Sequence, residues 1–91
     1  MKIIDNLKDG YKILKGRNIS SYKIDCEILM SQSLSISREE VLLNLEKDIK
    51  KEETEKYFYL VNRRKKDEPI AYITNNKNFW RHKFVTNKDV L

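Results

Sequence analysis

Cys26 and His82 are the only cysteine and the only histidine of this 91-residue chain, and that pair bounds its chemistry. A zinc-type metal site takes several converging nitrogen, sulfur or oxygen donors, and one thiol with one imidazole does not make one convincingly. Cys26 lies in YKIDCEILMSQSL, a strongly apolar stretch. There a thiol is desolvated and acts as a small core residue rather than a nucleophile. His82 stands among cations in FWRHKF and reads as a surface residue. No serine, histidine and acid come together in a context that supports a triad. Gly10 and Gly16 are the only glycines, so no glycine-rich phosphate or dinucleotide loop is present. The chain by itself offers no credible catalytic site.

Recognition chemistry is concentrated instead in RRKKDEPIAYITNNKNFWRHKF, Arg63 to Phe84. The net charge of +5 is located there: residues 1–46 hold seven cations and seven anions, 47–61 four of each, and 62–91 eight cations against three anions. A one-sided basic excess beside aromatic residues is the pattern of a nucleic-acid surface, with cations for phosphates and rings for bases. Against it, Lys outnumbers Arg fourteen to five, a compositional drift that lowers the weight of the charge. The same run also reads as a joint: Arg63, Arg64, Lys65 and Lys66 form the last turn of a helix, with cations at the negative end of its dipole.

The elements that must position this run are helical. Ile4, Leu7, Tyr11 and Leu14 make one amphipathic stripe, which Gly16 suits as an end. Ser20 or Ser21 can cap a second helix over Tyr22 to Leu34. Apolar residues cover much of its circumference, so it is expected to be the central helix. Ser37-Arg38-Glu39-Glu40 has the form of a capping box and starts a short helix reaching about Leu45. Residues 46–50 form a polar connector. Lys51 to Lys66 follows as a long helix, acidic at its start and basic at its end, with Tyr57, Leu60, Val61 and Phe58 as its buried stripe. Pro69 ends the preceding geometry and suits the first position of another short helix, Ile70 to about Thr74. FWRHKFVTN, rich in aromatic and β-branched residues, is expected to be extended. The expected core is Ile24, Ile28, Leu29, Leu42, Leu60 and Val61.

A chain of this size buries only ~60–65% of its unfolded surface, which makes its stability modest. It is 40% hydrophobic and 36% charged, fitting a folded helical domain rather than a disordered chain. One cysteine allows no internal disulfide and fits a reducing cytoplasm. The N-terminus lacks the apolar core of a signal peptide, and no run approaches the ~20 apolar residues needed to cross a bilayer.

From about Tyr22 to Leu91 the chain resembles the HemK/PrmC family of protein-(glutamine-N5) methyltransferases. The specific part reads Arg63-Arg64, Glu68-Pro69, Ala71-Tyr72-Ile73 and Phe79-Trp80, followed by Phe84 and Val90-Leu91. Asp25-Cys26-Glu27-Ile28-Leu29-Met30 and Ser37-Arg38-Glu39-Glu40-Val41-Leu42 are similar to two further family motifs. Departures are Asp67 and Asn75 where the family has Gly, Arg81 where Gly is common, and Thr86 in place of Val.

The resemblance implies a mainly α fold, a small bundle of about five helices followed by a C-terminal β-hairpin or extended linker. Residues 1–76 would be an N-terminal substrate-docking domain. Residues 77–91 would begin the linker to an S-adenosylmethionine-binding methyltransferase domain beyond Leu91. The implied partner is a class-1 peptide chain release factor, methylated on the glutamine of its Gly-Gly-Gln loop. Neither cofactor nor catalytic residues are expected within the chain, and a cytoplasmic monomer with no membrane association is expected. Arg63, Arg64, Tyr72, Phe79 and Trp80 are the candidate partner or interdomain contacts. The alternative is an autonomous basic helical module that binds nucleic acid.

Overall fold

A computed structural model describes residues 1–75 of the chain. They form α1 (Ile3–Gly16), α2 (Tyr22–Leu34), α3 (Arg38–Leu43), α4 (Lys51–Lys65) and α5 (Ile70–Asn75), with no strand among the described residues. The mainly helical class and the expected element order hold. The extended FWRHKFVTN segment, with Phe79, Trp80 and His82, lies outside the described residues.

α2 is the central helix and packs against each of the other four. The core collects Ile3, Leu7 and Leu14 from α1, Leu29 and Met30 with Cys26 from α2, and Tyr57, Leu60 and Val61 from α4. Val41 and Ile73 add one residue each from α3 and α5. Three of the six expected core residues belong to it: Leu29, Leu60 and Val61. Ile24 is 49% exposed and Leu42 is 42% exposed, and Ile28 is half-buried. The reason is rotational. The main inner face of α2 runs through positions 25, 26, 29, 30 and 33, and at ~100° per residue Ile24 and Ile28 fall on the other side, where only the small Ser31 is buried. Serine takes a place on the main inner face because its hydroxyl is satisfied locally: Ser33 Oγ donates to the Leu29 carbonyl at 2.9 Å. In the six-residue α3 only one of three consecutive apolar side chains faces inward, and it is Val41.

The helix ends carry much of the local order. The Ser37 capping box is formed, with Glu40 N–H donating to Ser37 Oγ and Ser37 N–H to Glu40 Oε1, both at 3.1 Å. Lys50 N–H donates to Glu53 Oε1 at 2.9 Å at the start of α4. The first amides of α1 have no local cap. Ile3 N–H donates to the Lys47 carbonyl and Ile4 N–H to the Leu45 carbonyl, each at 2.9 Å. The polar connector thus closes the N-terminus of α1 from more than forty residues away.

α1, α2 and α4 all end in the same way. After each, one residue takes the left-handed conformation: Asn18 (φ 63°), Ser35 (φ 58°) and Asp67 (φ 72°). In each case two amides fold back on the last turn, as where Asp67 N–H reaches the Arg64 carbonyl and Glu68 N–H the Arg63 carbonyl. This is the Schellman arrangement, usually built on glycine. Neither glycine of the chain has a positive φ, so Gly16 is not the residue that turns the chain after α1; Asn18 is.

Candidate functional site: the α4–α5 joint

Two adjacent arginines on the last turn of α4 face different partners because successive helical positions are ~100° apart. Arg63 grips Glu68 with two bonds, Nε to Oε1 at 2.7 Å and Nη2 to Oε2 at 3.0 Å. The fork is largely shielded, the side chains being 14% and 32% exposed. This contact raises the pKa of Arg63 and holds the Glu68 carboxyl below the usual carboxylate range. The Arg63 guanidinium carbon also lies 5.9 Å from the ring centres of both Tyr59 and Tyr72, within cation–π range.

Arg64 turns inward to α2. Its Nε donates to Asp25 Oδ2 at 2.9 Å, and Ser21 Oγ donates to the same oxygen at 2.9 Å. The Asp25 side chain is 6% exposed, so these bonds satisfy a nearly buried carboxylate. Arg64 Nη1 donates to the Glu68 carbonyl at 3.1 Å, which ties the joint to α2. From the residue that follows α1, Arg17 Nε donates to the Lys65 carbonyl at 3.1 Å and Nη2 to Asp67 Oδ2 at 3.4 Å. The turn Lys66–Pro69 is therefore held from the C-terminal end of α1 and from α2 and α4 together.

The structure brings three of the five candidate contact residues to this joint. Arg63 and Arg64 are engaged in intramolecular ion pairs, and Tyr72 on α5 is 55% exposed. Phe79 and Trp80 lie outside the described residues. The residues that the sequence did not single out are Asp25, Arg17 and Glu68 in their role as counter-charges. Asp25 stands 39 residues from Arg64, and no local pattern signals that pairing.

Cys26 is fully buried, and burial pushes its thiol up to about 11. Its environment is that of a core residue, not a nucleophile. Beside it, the hydroxyl of Tyr57 is buried against the Cys26 thiol without a well-formed hydrogen bond, and burial, then the neighbouring thiol, raises its pKa strongly. No group of three or more His, Cys, Asp or Glu side chains among the described residues could hold a metal ion. No helix of the described residues is long and apolar enough to cross a membrane.

With this geometry in hand, the relatives are informative. Residues 5–74 match the family model of the PrmC N-terminal domain, which spans all five helices save their outermost residues. The chain belongs to the PrmC N-terminal domain family. It is 41% identical over 91 residues to a release factor glutamine methyltransferase of Clostridium botulinum, a match covering 100% of this chain and 32% of the relative. A release factor glutamine methyltransferase of Leptospira interrogans is 34% identical over 89 residues, 98% of this chain and 31% of the relative. A bifunctional methyltransferase of Rickettsia conorii is 35% identical over 85 residues, 93% of this chain and 16% of the relative. The chain thus spans about a third of the length of the release factor methyltransferases it matches. No solved structure gives a significant match.

Proposed function

We propose that this chain is the substrate-docking domain of a cytoplasmic methyltransferase that modifies a class-1 peptide chain release factor. The reaction would transfer a methyl group from S-adenosylmethionine to the side-chain amide of the glutamine in the Gly-Gly-Gln loop. The observation that carries the reading is the match of residues 5–74 to the PrmC N-terminal domain family, supported by the names of the relatives.

The described residues do not fit the cofactor. A nucleotide-like cofactor is usually held where glycine lets the backbone approach closely. Gly10, the one glycine packed in the interior, has its open side filled by Tyr57. No step of methyl transfer is therefore placed on these residues, and the cofactor is assigned to a downstream catalytic domain. Residues 1–76 would be the docking domain and residues 77–91 the start of the linker. Arg63 and Arg64 would act through the shape of the joint, while Tyr72, Phe79 and Trp80 would meet the release factor or the catalytic domain.

The test is a pair of titrations on the purified chain, followed by nuclear magnetic resonance. A class-1 release factor is expected to shift amide resonances around the α4–α5 joint, and S-adenosylmethionine to leave the spectrum unchanged. Saturable cofactor binding, or no shift at millimolar release factor, would overturn the docking reading.

A further inference from the structure

α5 is attached to the rest of the molecule by unlike means. Its deeply buried side chain is Ile73, at 1% exposure, with Ile70 half-buried beside it, whereas Ala71 and Tyr72 are exposed. A helix of six residues is far too short to persist unless it is docked. Its entry is fixed by charge: the two-bond fork of Arg63 on Glu68, and the Arg64 bond to the Glu68 carbonyl. Between α4 and α5 stand only four residues, 66–69. One of these, Asp67, holds the left-handed conformation, which among L-residues Asp and Asn adopt most readily.

We propose that α5 is a separately opening unit, latched by the Arg63–Glu68 fork and the Ile73 plug, which swings away while α1 to α4 stay folded. Elements with few buried apolar contacts open at low free energy, and helices that carry the core open only with global unfolding. α5, like α3, supplies one residue of the core cluster, against three each from α1, α2 and α4, but α3 is packed along α2 more extensively than α5 is packed on any helix. Opening breaks the fork, withdraws Ile73 and lets the 66–69 turn relax. The inference concerns the mechanics of the joint and stands whether or not a release factor is the partner.

Amide hydrogen exchange on the whole 91-residue chain tests it. The Tyr72 and Ile73 amides, both bonded to the Pro69 carbonyl, report α5. The Leu29 and Val61 amides, within α2 and α4, report the bundle. In the native chain the α5 amides are expected to be protected, yet to open at least about a hundredfold more readily than the bundle pair. Glu68→Gln keeps the size of the side chain and removes its charge. It is expected to raise α5 opening about tenfold or more, the worth of a charge-assisted bond, with Leu29 and Val61 unchanged. Labelling of the buried Cys26 thiol is expected to stay at the rate of global unfolding in both proteins. A common exchange rate for α5 and bundle, no protection of the α5 amides, or a Glu68→Gln variant that alters neither set or both sets together would each overturn the proposal.

Discussion

Gly10 and Tyr57 share one volume. A Cβ built on Gly10 would collide with the Tyr57 hydroxyl and lie 3.0 Å from Cys26 Sγ. Alanine is the better helix former by ~1 kcal/mol, so the two effects oppose each other. Overpacking of a tight interior costs ~1–3 kcal/mol, and here the struck atom ends a rigid ring, so collision wins. Gly10→Ala is expected to lower the stability by up to ~2 kcal/mol in urea denaturation. Tyr57→Phe removes the hydroxyl that lacks a well-formed hydrogen bond and is expected to be near neutral. In that background Gly10→Ala should regain most of its loss; an additive double mutant would show that the hydroxyl is not the obstacle. Ser35 offers the opposite case. It holds φ 58°, and its place is one that glycine occupies without strain. Ser35→Gly is expected to raise the stability by ~0.5–1 kcal/mol, the relief of strain less the entropy that glycine gains in the unfolded chain. In the core, Leu29 is fully buried in the central helix, and Leu29→Ala is expected to cost ~2–5 kcal/mol.

Elements were legible where their signals are local. The Ser37 capping box, the acid-to-base gradient of α4 and the start of α5 after Pro69 each lie within a few residues of sequence, and each formed. What was not legible depends on contacts across the chain. Residues 45–47 cap α1 through backbone carbonyls, which leave no trace in residue type. Apolar content marks α2 as central but does not say which side faces in: Ile24 is apolar and half-exposed, while Ser33 is polar and buried. The RRKK run read correctly as a helical last turn, while its function as a clamp needed Asp25 in space. That clamp supports two expectations. Arg64→Ala leaves Asp25 nearly buried with Ser21 as its remaining partner, and is expected to destabilise the bundle by ~3 kcal/mol, as when one member of a buried pair is removed. Glu68 has its folded pKa lowered by Arg63. Its contribution is therefore fully present above the pKa of the unfolded carboxyl and is lost as the pH falls through the lower, folded value. The stability gap between the native chain and Glu68→Gln should thus be constant from pH 7 to about 5.5 and close in acid. A gap that widens on acidification would show that the fork is not formed in solution.

At the scale of the whole molecule, the basic excess and the five-helix bundle point to different uses, and the arginines decide between them. Arg17, Arg38, Arg63 and Arg64, all four arginines among the described residues, pair with carboxylates of the same chain. Arginine is the side chain suited to fork-like contacts with phosphates and guanine edges; here Arg63 spends its fork on Glu68 and Arg64 is turned inward to Asp25, while Arg17 and Arg38 make exposed single-bond ion pairs. What remains at the joint is lysine charge, which attracts a polyanion without reading it. Duplex DNA is accordingly expected to bind loosely at low salt, without sequence preference, and to be released steeply as salt is added. Tight binding to one sequence at physiological salt would favour the nucleic-acid module over the docking domain. The docking reading makes its own demand on energetics. Methylating an amide nitrogen, a poor nucleophile, requires cofactor and amide to be held in line within a rigid polar pocket. Among the described residues the interior of this bundle is mainly apolar, built from residues such as Leu14, Leu29, Tyr57 and Val61. Residues 1–91 alone are therefore expected to transfer no methyl group from labelled S-adenosylmethionine to a release factor. Joined to a catalytic domain, the bundle would contribute by raising the local concentration of the substrate loop at the active site. Its removal should then raise KM for the release factor far more than it lowers kcat. A truncated enzyme that keeps its KM and loses kcat would mean that the bundle shapes the catalytic pocket instead of docking the substrate.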